Sequence, residues 1–569
     1  MIISILKQRI HDYIRDLTED KPGLNNLAVE EPKNEEFGDL STNASMVLAP
    51  VLKEKPMEIA EKLKKELISK FEQVEDISIV KPGFINFNLK DDFIKRALQE
   101  IITEKEKFGF NQSGKGKSIQ LEYVSSNPTG NLHVGHGRWG ALGDSLANIY
   151  DANGYEVARE YYVNDYGTQA EKFSECAECI YLRHFGRNTS YPEDGYPLKT
   201  VTAVVERLIE SYDDQFIIEK NGEKHVDSKL FKKEIIKTMV SYISETLALM
   251  GVEYDCWFYE SSLYENSNFQ NVTEDLKTRD VVYSKDGAMW FRTSDYADDK
   301  DRVIVRKDGN PSYFASDILY LINKVKRGYD KLLYILGADH HGYVDRLKAI
   351  GKALGLEEDR IVIIIGQLVK IVDEGKALKM SRRKGKLYDL RGLIEEVGKD
   401  AVRYFFSMNS FDTPMDFDIN LAKQKSNQNP VFYVQYAHAR IESIIKKIRE
   451  ASPENQVLDG FSIDNFSFDK VDTSKLVFKS KSERKLAKIM ILYPDVVYTS
   501  CRNNAPHLIT QYLYRLASEF HYFYNNFRVV NDSEDKTAVD MDRLVLILLV
   551  RQVLQNALKL LNVSAPEKM

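Results

Sequence analysis

A strand, a polar turn and a helix start follow one another early in the second hundred residues, and this order constrains the fold most strongly. Residues 119–124 combine alternation with β-branched and aromatic side chains, which predicts a strand. Residues 125–130 (Ser-Ser-Asn-Pro-Thr-Gly) have the composition of a turn. Apolar residues then recur at helical spacing over 142–150, so we expect a helix to begin between His133 and His136. The positive end of such a helix lies at the mouth of a sheet and attracts phosphate.

Two histidines mark the expected helix start. His133 and His136 are three residues apart and therefore share one face of the first turn, and Gly135 between them would let a nucleotide approach the backbone. Metal-bound and core histidines use the same spacing, so the motif alone leaves those interpretations open.

A second segment narrows the interpretation of the two histidines. After the strand-like run 361–365, residues 375–385 read Gly-Lys-Ala-Leu-Lys-Met-Ser-Arg-Arg-Lys-Gly, a basic loop framed by glycines. The pair HVGH and KMSRR, in this order and more than 200 residues apart, resembles the HIGH and KMSKS signatures of class I aminoacyl-tRNA synthetases. The alternation of strands and helices around these motifs also predicts a parallel, nucleotide-binding sheet.

The chain of 569 residues is too long for a single core. We predict a multidomain α/β protein: a Rossmann-like parallel-sheet catalytic domain with an α+β N-terminal domain and an all-α C-terminal helical bundle. The predicted ranges are 1–112 for the N-terminal domain, 113–424 for the catalytic domain and 425–569 for the bundle. An insertion of polar helices is expected at about 171–290, and the signature loop spans 376–385.

Three local predictions are specific enough to test. In the N-terminal domain, residues 40–52 are expected to form a helix, and a two-stranded hairpin is expected to turn at Lys81-Pro82-Gly83. The main sheet is expected to resume after the insertion at 288–292 and 303–306.

Composition excludes several classes of protein. The hydrophobic content of 43% with 29% charged residues is typical of a globular chain, and no apolar run approaches the ~18 residues of a membrane span. The first residues lack the layout of a signal peptide, so a cytoplasmic location is expected.

Net charge is −7, yet residues 421–569 carry 21 Lys and Arg against 16 Asp and Glu. That excess is consistent with a polyanion contact and equally with an ordinary helical surface.

The four cysteines do not make a disulfide framework in so long a chain. Cys176 and Cys179 have the spacing of half a zinc site, but no second pair accompanies them, which favours two helical cysteines. The aromatic residues of 512–527 have two readings, as a core stripe and as stacking faces for bases.

Further segments make the resemblance closer, and the chain is similar over essentially its whole length to the bacterial type of the arginyl-tRNA synthetase family. They are 122–138, 162–169, 312–317, 337–342, 433–440 and the ending 563–569, together with GFINF at 83–87 in the N-terminal extension. The resemblance implies an arginine–tRNA ligase. Such an enzyme activates L-arginine with ATP to arginyl-adenylate and transfers it to the 3′-terminal adenosine of tRNA(Arg), releasing AMP and pyrophosphate.

The resemblance also implies residue roles. Both attacking groups belong to substrates, so catalysis is alignment and charge stabilisation, and no protein nucleophile is needed. The implied catalytic residues are His133, His136 and Lys379, and the ATP-binding set adds Asn131, Gly135, Met380 and Ser381. The implied arginine-binding residues are Glu122, Ser125, Asn127, Gln169, Tyr313, Asp317, Asp339 and His341.

Guanidinium geometry ranks this arginine-binding set. A planar fork of donors requires a carboxylate in bidentate reach, for which Asp317 beside Tyr313 is the first choice and Glu122 the second acidic contact. Asn127 and Gln169 are candidates for the α-amino end, and the assignment between the two ends of arginine stays open. Specificity of this kind needs no editing site.

Cofactors and partners follow from the same resemblance. We expect ATP with Mg²⁺ held largely by phosphate and water, no protein-bound zinc, tRNA(Arg) and L-arginine as partners, no membrane, and a monomeric chain. One departure concerns the signature loop, where Arg382 replaces the second lysine and Arg383 and Lys384 follow it. The position keeps its positive charge, but the planar guanidinium of arginine donates in two directions, whereas the lysine ammonium is a compact point charge.

Two competing hypotheses remain at this point. A synthetase for another amino acid would share the sheet and would lose little on Asp317→Asn. A non-catalytic tRNA-binding or scaffold protein could keep the fold, but intact His133, His136 and Lys379 argue against it.

Overall fold

A computed structural model gives the architecture of most of the chain. The residues it describes are 2–17, 26–32, 34–265, 268–296, 298–373, 376–377, 389–451, 457–458, 461–462, 471–532 and 537–569.

The N-terminal region is a four-stranded antiparallel sheet covered by helices. Its elements are α1 (Ile2–Leu17), β1 (Val29–Glu30), β2 (Leu40–Thr42), α2 (Ala44–Leu52), α3 (Pro56–Lys70), β3 (Val74–Val80), β4 (Phe84–Leu89) and α4 (Asp91–Glu104). The strand order is β1-β2-β4-β3. The predicted helix over 40–52 is wrong at its start, because Leu40 pairs with Phe87 of β4 and the helix begins only after Asn43. The predicted hairpin is confirmed by the β3–β4 pairing.

The middle of the chain alternates strands and helices. The elements up to the small antiparallel sheet are β5 (Ser118–Tyr123), α5 (Val134–Ala152), β6 (Glu156–Val163), α6 (Thr168–His184), α7 (Leu198–Tyr212), β7 (Ile217–Lys220), β8 (Glu223–Val226), α8 (Ser228–Ala248), β9 (Cys256–Tyr259), α9 (Asn268–Thr278), β10 (Val282–Lys285), β11 (Ala288–Phe291) and β12 (Arg302–Val305). The elements that follow are α10 (Tyr313–Lys326), β13 (Lys331–Gly337), α11 (His341–Ala353), β14 (Ile361–Gly366), β15 (Val369–Asp373), β16 (Lys376–Ala377), α12 (Leu390–Val397), α13 (Lys399–Phe406), β17 (Met415–Asp418) and α14 (Ile419–Lys423).

The predicted parallel sheet is confirmed, with the strand order β14-β13-β5-β6-β9 and every pairing parallel. Residues 119–123 of β5 are all buried, as expected for a central strand covered on both faces. The chain winds outward from β5 in two directions, to β6 on one side and to β13 on the other. Such a reversal of strand order opens a crevice outside the carboxyl ends of the strands.

Two predictions about this sheet are wrong. The interval 171–290, predicted to hold polar helices, contains β9, which pairs with β6 as an edge strand of the main sheet. Four residues of apolar and aromatic character between helices are too short to give a clear alternation. Residues 288–291 and 302–305 do form strands, but β11 and β12 join β10 in a separate antiparallel sheet, not the main one.

The C-terminal region is mainly helical, as predicted. Its elements are α15 (Pro430–Ala451), β18 (Val457–Leu458), β19 (Phe461–Ser462), α16 (Lys481–Ile491), α17 (Tyr493–Arg502), α18 (His507–Asn526), β20 (Val530–Asp532), β21 (Thr537–Val539) and α19 (Met541–Leu560). The two short hairpins, β18–β19 and β20–β21, were not expected. Within the described ranges, none of the helices has the length and apolarity to cross a membrane.

One arginine of α16 joins the N-terminal region to the helical region. The Arg484 guanidinium donates to both carboxylate oxygens of Asp39 at 3.0 and 2.9 Å, to Asp91 at 2.7 Å and to the carbonyl of Leu89 at 2.7 Å. Burial alone would raise the pKa of Asp39, but the hydrogen bonds from Arg484 and the charge of Lys488 hold it below its usual range. The contact is therefore a bidentate, largely desolvated ion pair.

Replacing Arg484 by Met is expected to lower the free energy of unfolding by about 3 kcal/mol, because Asp39 stays buried after losing its main partner. Urea titration followed by circular dichroism measures the change. Arg502→Met, on an exposed position of α17, is the matched control and should cost less than about 0.5 kcal/mol. Equal losses for the two variants would contradict the role of the pair.

Candidate active site

The first turn of α5 holds the two histidines in a reciprocal cap. The Nδ1 atom of His133 accepts from the backbone N–H groups of Gly135 at 3.1 Å and His136 at 3.3 Å. The Nδ1 atom of His136 accepts in return from the N–H of His133 at 3.2 Å. The two rings stack with their centroids 3.6 Å apart. The helix start predicted at 133–136 is thereby confirmed.

This cap decides what the imidazoles offer to a ligand. Each Nδ1 accepts hydrogen bonds, so the proton of a neutral ring lies on Nε2. Burial lowers the pKa of His136 to about 3, and burial also lowers the pKa of His133 although the charge of Asp339 opposes it. At neutral pH both rings are therefore uncharged donors whose Nε2–H groups are free of the cap. Donors at a helix N-terminus suit phosphate oxygens.

The turn between β5 and α5 is held in a strained conformation. Val124 and Ser125 have φ values of 72° and 39°, in the left-handed region that non-glycine residues seldom adopt. The Ser125 hydroxyl accepts from the N–H of Tyr162 at 3.1 Å, which fixes the turn to β6. Asn127, two residues on, donates to the side chain of Gln169 at 2.8 Å, so these two predicted arginine contacts lie side by side.

Asn131 ties the histidine turn to the segment that follows the signature loop. Its amide donates to Asp389 at 2.8 Å, and a β-bridge joins His133 to the same residue. The N–H of Leu390 also donates to the carbonyl of Leu132 at 2.8 Å. The segment that begins at Asp389, after the signature loop, is thus fastened beside the imidazoles.

Asp317 is half-buried at the start of α10, where it and the nearby Glu260 form a group that we call the acidic pocket. It accepts from the Tyr343 hydroxyl of α11 at 2.9 Å. Burial raises the pKa of Asp317 to about 7, and the charges of Glu260 and Glu122 add to the rise, while the Tyr343 hydrogen bond and Arg346 oppose it. A carboxylate with so high a pKa lacks sufficient cationic compensation and favours a bound cation.

Glu260 is the functional candidate that sequence reasoning missed. It is 4% exposed, and burial raises its pKa although hydrogen bonds from Ser316 and Tyr162 lower it. The residue directly follows β9, at the carboxyl end of a sheet strand. That position was the available signal, but it could not be read because the strand itself was not predicted.

Glu122, predicted as the second acidic contact, already has a partner in the chain. Its carboxylate accepts a 2.5 Å hydrogen bond from Lys324 Nζ, and both side chains are buried. The Lys324 ammonium also lies 3.8 Å from the ring centroid of Tyr334. Because Glu122 is already paired with Lys324, Glu260 is the better candidate for a second carboxylate beside Asp317.

The remaining predicted residues are distributed around these groups. Tyr313 is 64% exposed on the helix that carries Asp317, and its hydroxyl lies 3.3 Å from that of Thr168. Asp339 is exposed and close enough to His133 to affect its pKa. His341 opens α11, and its side chain lies outside the described part of the chain, as do Lys379, Met380, Ser381 and Arg382.

Two groups of different chemistry therefore share the carboxyl edge of the main sheet. The neutral imidazole pair follows β5, and the acidic pocket is built by helices next to β13 and by the residue after β9. The first group suits phosphate, and the second suits a planar cation. A site of this kind can align two substrates along one edge of the sheet.

Family models match three parts of the chain. The model "tRNA synthetases class I (R), catalytic domain" matches residues 97–441, "Arginyl tRNA synthetase N terminal domain" matches 4–89, and "DALR anticodon binding domain" matches 434–569.

Similar proteins cover the full length. An arginine–tRNA ligase of Caldanaerobacter subterraneus is 41% identical over 100% of both chains, and that of Bacillus subtilis is 41% identical over 96% of this chain and 94% of its own. The solved structure of Thermus thermophilus arginyl-tRNA synthetase superposes with a TM-score of 0.71 over 100% of both chains at 20% identity, a likeness of fold.

Proposed function

The chain belongs to the arginyl-tRNA synthetase family, and on that premise we propose how its sheet edge joins arginine to ATP. It is an ATP-dependent ligase that activates L-arginine to arginyl-adenylate and charges tRNA(Arg) with it. The proposal also includes the domain boundaries near 112 and 424, the residue roles, magnesium, a cytoplasmic location and a monomeric state. The observation that carries it is that the acidic pocket and the two neutral imidazoles share the carboxyl edge of the main sheet.

The guanidinium of arginine is proposed to occupy the pocket of Asp317 and Glu260. Two carboxyl groups that are buried without a full cationic partner favour a delocalised cation, and the fork of guanidinium N–H donors fits a carboxylate in bidentate fashion. Tyr313, exposed on the same helix, is proposed to close over the ligand. Asn127 and Gln169, which contact one another, are proposed to hold the α-amino end.

The imidazole pair is proposed to bind the phosphates of ATP. The arginine carboxylate attacks the α-phosphorus, and charge then builds on the leaving pyrophosphate. The Nε2–H groups of His133 and His136 would donate to those oxygens, and Lys379 would add a positive charge from the signature loop. Because the donors are already fixed by the cap, little reorganisation is needed when charge develops.

Magnesium is proposed to arrive with ATP and to neutralise charge on its phosphates. Within the described residues, no group of three or more His, Cys, Asp or Glu side chains is placed to hold an ion. Mg²⁺ commonly keeps several waters and binds substrate phosphates, so we propose that phosphate oxygens and water hold most of its coordination sites.

The helical domain is proposed to meet the anticodon. In the 512–527 segment, Tyr512 and Phe520 are buried, whereas Tyr522 and Tyr524 are exposed. The guanidinium of Arg440 lies over the ring of Tyr524 at 4.7 Å. An aromatic face with a cation beside it suits stacking on bases.

ATP–pyrophosphate exchange with each of the twenty amino acids, with and without tRNA(Arg), tests the proposal. Of the twenty amino acids, we expect only arginine to support exchange. Exchange with lysine or any other amino acid would overturn the specificity proposed for the pocket. Exchange that proceeds equally well after Asp317 and Glu260 are both replaced by amides would overturn their roles.

Arginine binding should weaken as the pH falls through 7. The Asp317 pKa is raised to about 7 in the free enzyme, and the guanidinium binds the ionised carboxylate, so protonation competes with arginine. The KM for arginine is therefore expected to rise about tenfold between pH 8 and pH 6. Steady-state exchange at saturating ATP measures it. In Asp317→Asn the dependence should vanish, and a flat KM in the unmodified enzyme would contradict the assignment.

A further inference from the structure

A tryptophan next to the imidazole pair fills a slot that two sheet glycines leave open. Trp139 lies one helical turn after His136 in α5 and is 7% exposed. Its ring meets the edges of His133 and His136 at centroid distances of 6.1 and 5.5 Å, with interplanar angles of 76° and 75°. The indole therefore packs at right angles to both stacked rings.

The opposite side of the indole rests on the ends of two strands. Gly337 ends β13, Gly366 ends β14, and the two residues are directly paired. A Cβ on Gly366 would lie 2.1 Å from the indole Nε1, and a Cβ on Gly337 would lie 2.7 Å from Cη2 of the same ring. No side chain larger than hydrogen fits at either position while the indole is present. The indole is thus wedged between the histidines and the sheet.

We propose that Trp139 is a positioning residue for the activation reaction, and that its indole, together with the cap, fixes the direction in which the two imidazole Nε2–H groups face the ATP phosphates. The inference deepens the proposed phosphate role of the histidines and rests on it. In this proposal Trp139 acts through the imidazoles that it contacts.

Among the described residues, the indole meets its neighbours by shape and not by a hydrogen bond. Its Nε1–H is buried and has no hydrogen-bond partner among the described residues. A phenyl ring can occupy most of the same slot without leaving a donor unpaired. The conservative substitution Trp139→Phe is therefore expected to preserve the function, whereas Trp139→Ala should open a cavity beside the rings.

The same wedge keeps water from the imidazoles. Burial is the largest cause of the lowered pKa values of His133 and His136. Among the described residues, the charged groups near the pair are Asp339, which raises the pKa of His133, and Asp389, whose backbone bridges to His133 and whose carboxylate accepts from Asn131. Both are acidic, so water entering after loss of the indole would favour protonation.

The first test is kinetic. Trp139→Ala is expected to lower kcat for ATP–pyrophosphate exchange by about 10- to 100-fold with little change in the KM for arginine. Trp139→Phe should stay within about threefold of the unmodified enzyme. A Phe variant as impaired as the Ala variant, or an Ala variant with full activity, would overturn the proposal.

The second test does not depend on activity, so it separates this inference from the proposed function. The full-length enzyme is labelled with ¹³Cε1-histidine, and the two resonances are assigned with His133→Asn and His136→Asn. His136 should stay neutral down to about pH 5 in the unmodified and Phe enzymes and should titrate above that pH in Trp139→Ala. If Trp139→Ala does not fold, Trp139→Leu, which fills part of the slot, takes its place. An unchanged titration in the folded variant would overturn the proposal.

Discussion

Replacing Asp317 by Asn is expected to reduce kcat/KM for arginine in pyrophosphate exchange by about 10³-fold. The expected loss corresponds to the cost of leaving a buried charge without its partner, about 3–5 kcal/mol. The amide keeps the shape of the side chain and can still accept from Tyr343, so the pocket should not collapse. It lacks the negative charge that the guanidinium needs, and the remaining Glu260 cannot supply the full pairing.

The control for this prediction lies on the neighbouring helix. Asp345 is exposed on α11, and Asp345→Asn removes the same charge outside the pocket. It should leave kcat/KM within about twofold, since exposed charges contribute little. ATP KM should be unaffected in both variants. An Asp317→Asn enzyme that activates arginine within about tenfold of the unmodified rate would exclude Asp317 as the main guanidinium contact.

The sequence predicted the position of the imidazole pair better than the composition of the acidic pocket. His133, Gly135 and His136 lie within four residues, so a local rule about helix starts was enough to place them together. Their reciprocal cap, with Nδ1 inward and Nε2 free, is also a local arrangement. Short-range geometry of this kind is readable without knowledge of the tertiary fold.

The acidic pocket is built from contacts that are distant in sequence. Glu260 lies 57 positions before Asp317 and becomes its neighbour only because β9 pairs with β6. Four residues give too little periodicity to reveal that strand, and the carboxylate after it could not be placed. Glu122 lies in the strand that the sequence predicted, but its pairing with Lys324, about 200 positions away, could not be seen in the sequence.

The packing of Trp139 against two glycines is a second contact between distant residues that the sequence could not reveal. A tryptophan three residues after a histidine is common core patterning, and its meaning depends on two glycines that end separate strands. Only the paired register of β13 and β14 brings them under one ring. The sequence thus contained the wedge and both halves of the slot without any local sign that they fit.

Replacing His136 by Asn is expected to reduce kcat for arginine activation by about 10²- to 10³-fold, with the KM for arginine little changed. The Asn side-chain oxygen can take the place of Nδ1 and accept from the N–H of His133, so the helix cap is preserved. What is lost is the Nε2–H donor that would meet the developing charge on pyrophosphate. Pre-steady-state formation of arginyl-adenylate, with thermal unfolding measured in parallel, gives the rate and checks the fold.

His136→Gln separates the donor from the cap. Its longer side chain places an amide N–H near the position of Nε2, so part of the rate should return even though the cap is less well matched. His184→Asn, on an exposed position of α6, controls for loss of a histidine elsewhere and should have no effect. If Gln at 136 is as slow as Asn, an amide N–H near the position of Nε2 does not restore the rate, and the role proposed for the Nε2–H donor is contradicted. Because the cap contributes only about 1 kcal/mol, it cannot by itself account for a loss of 10³-fold.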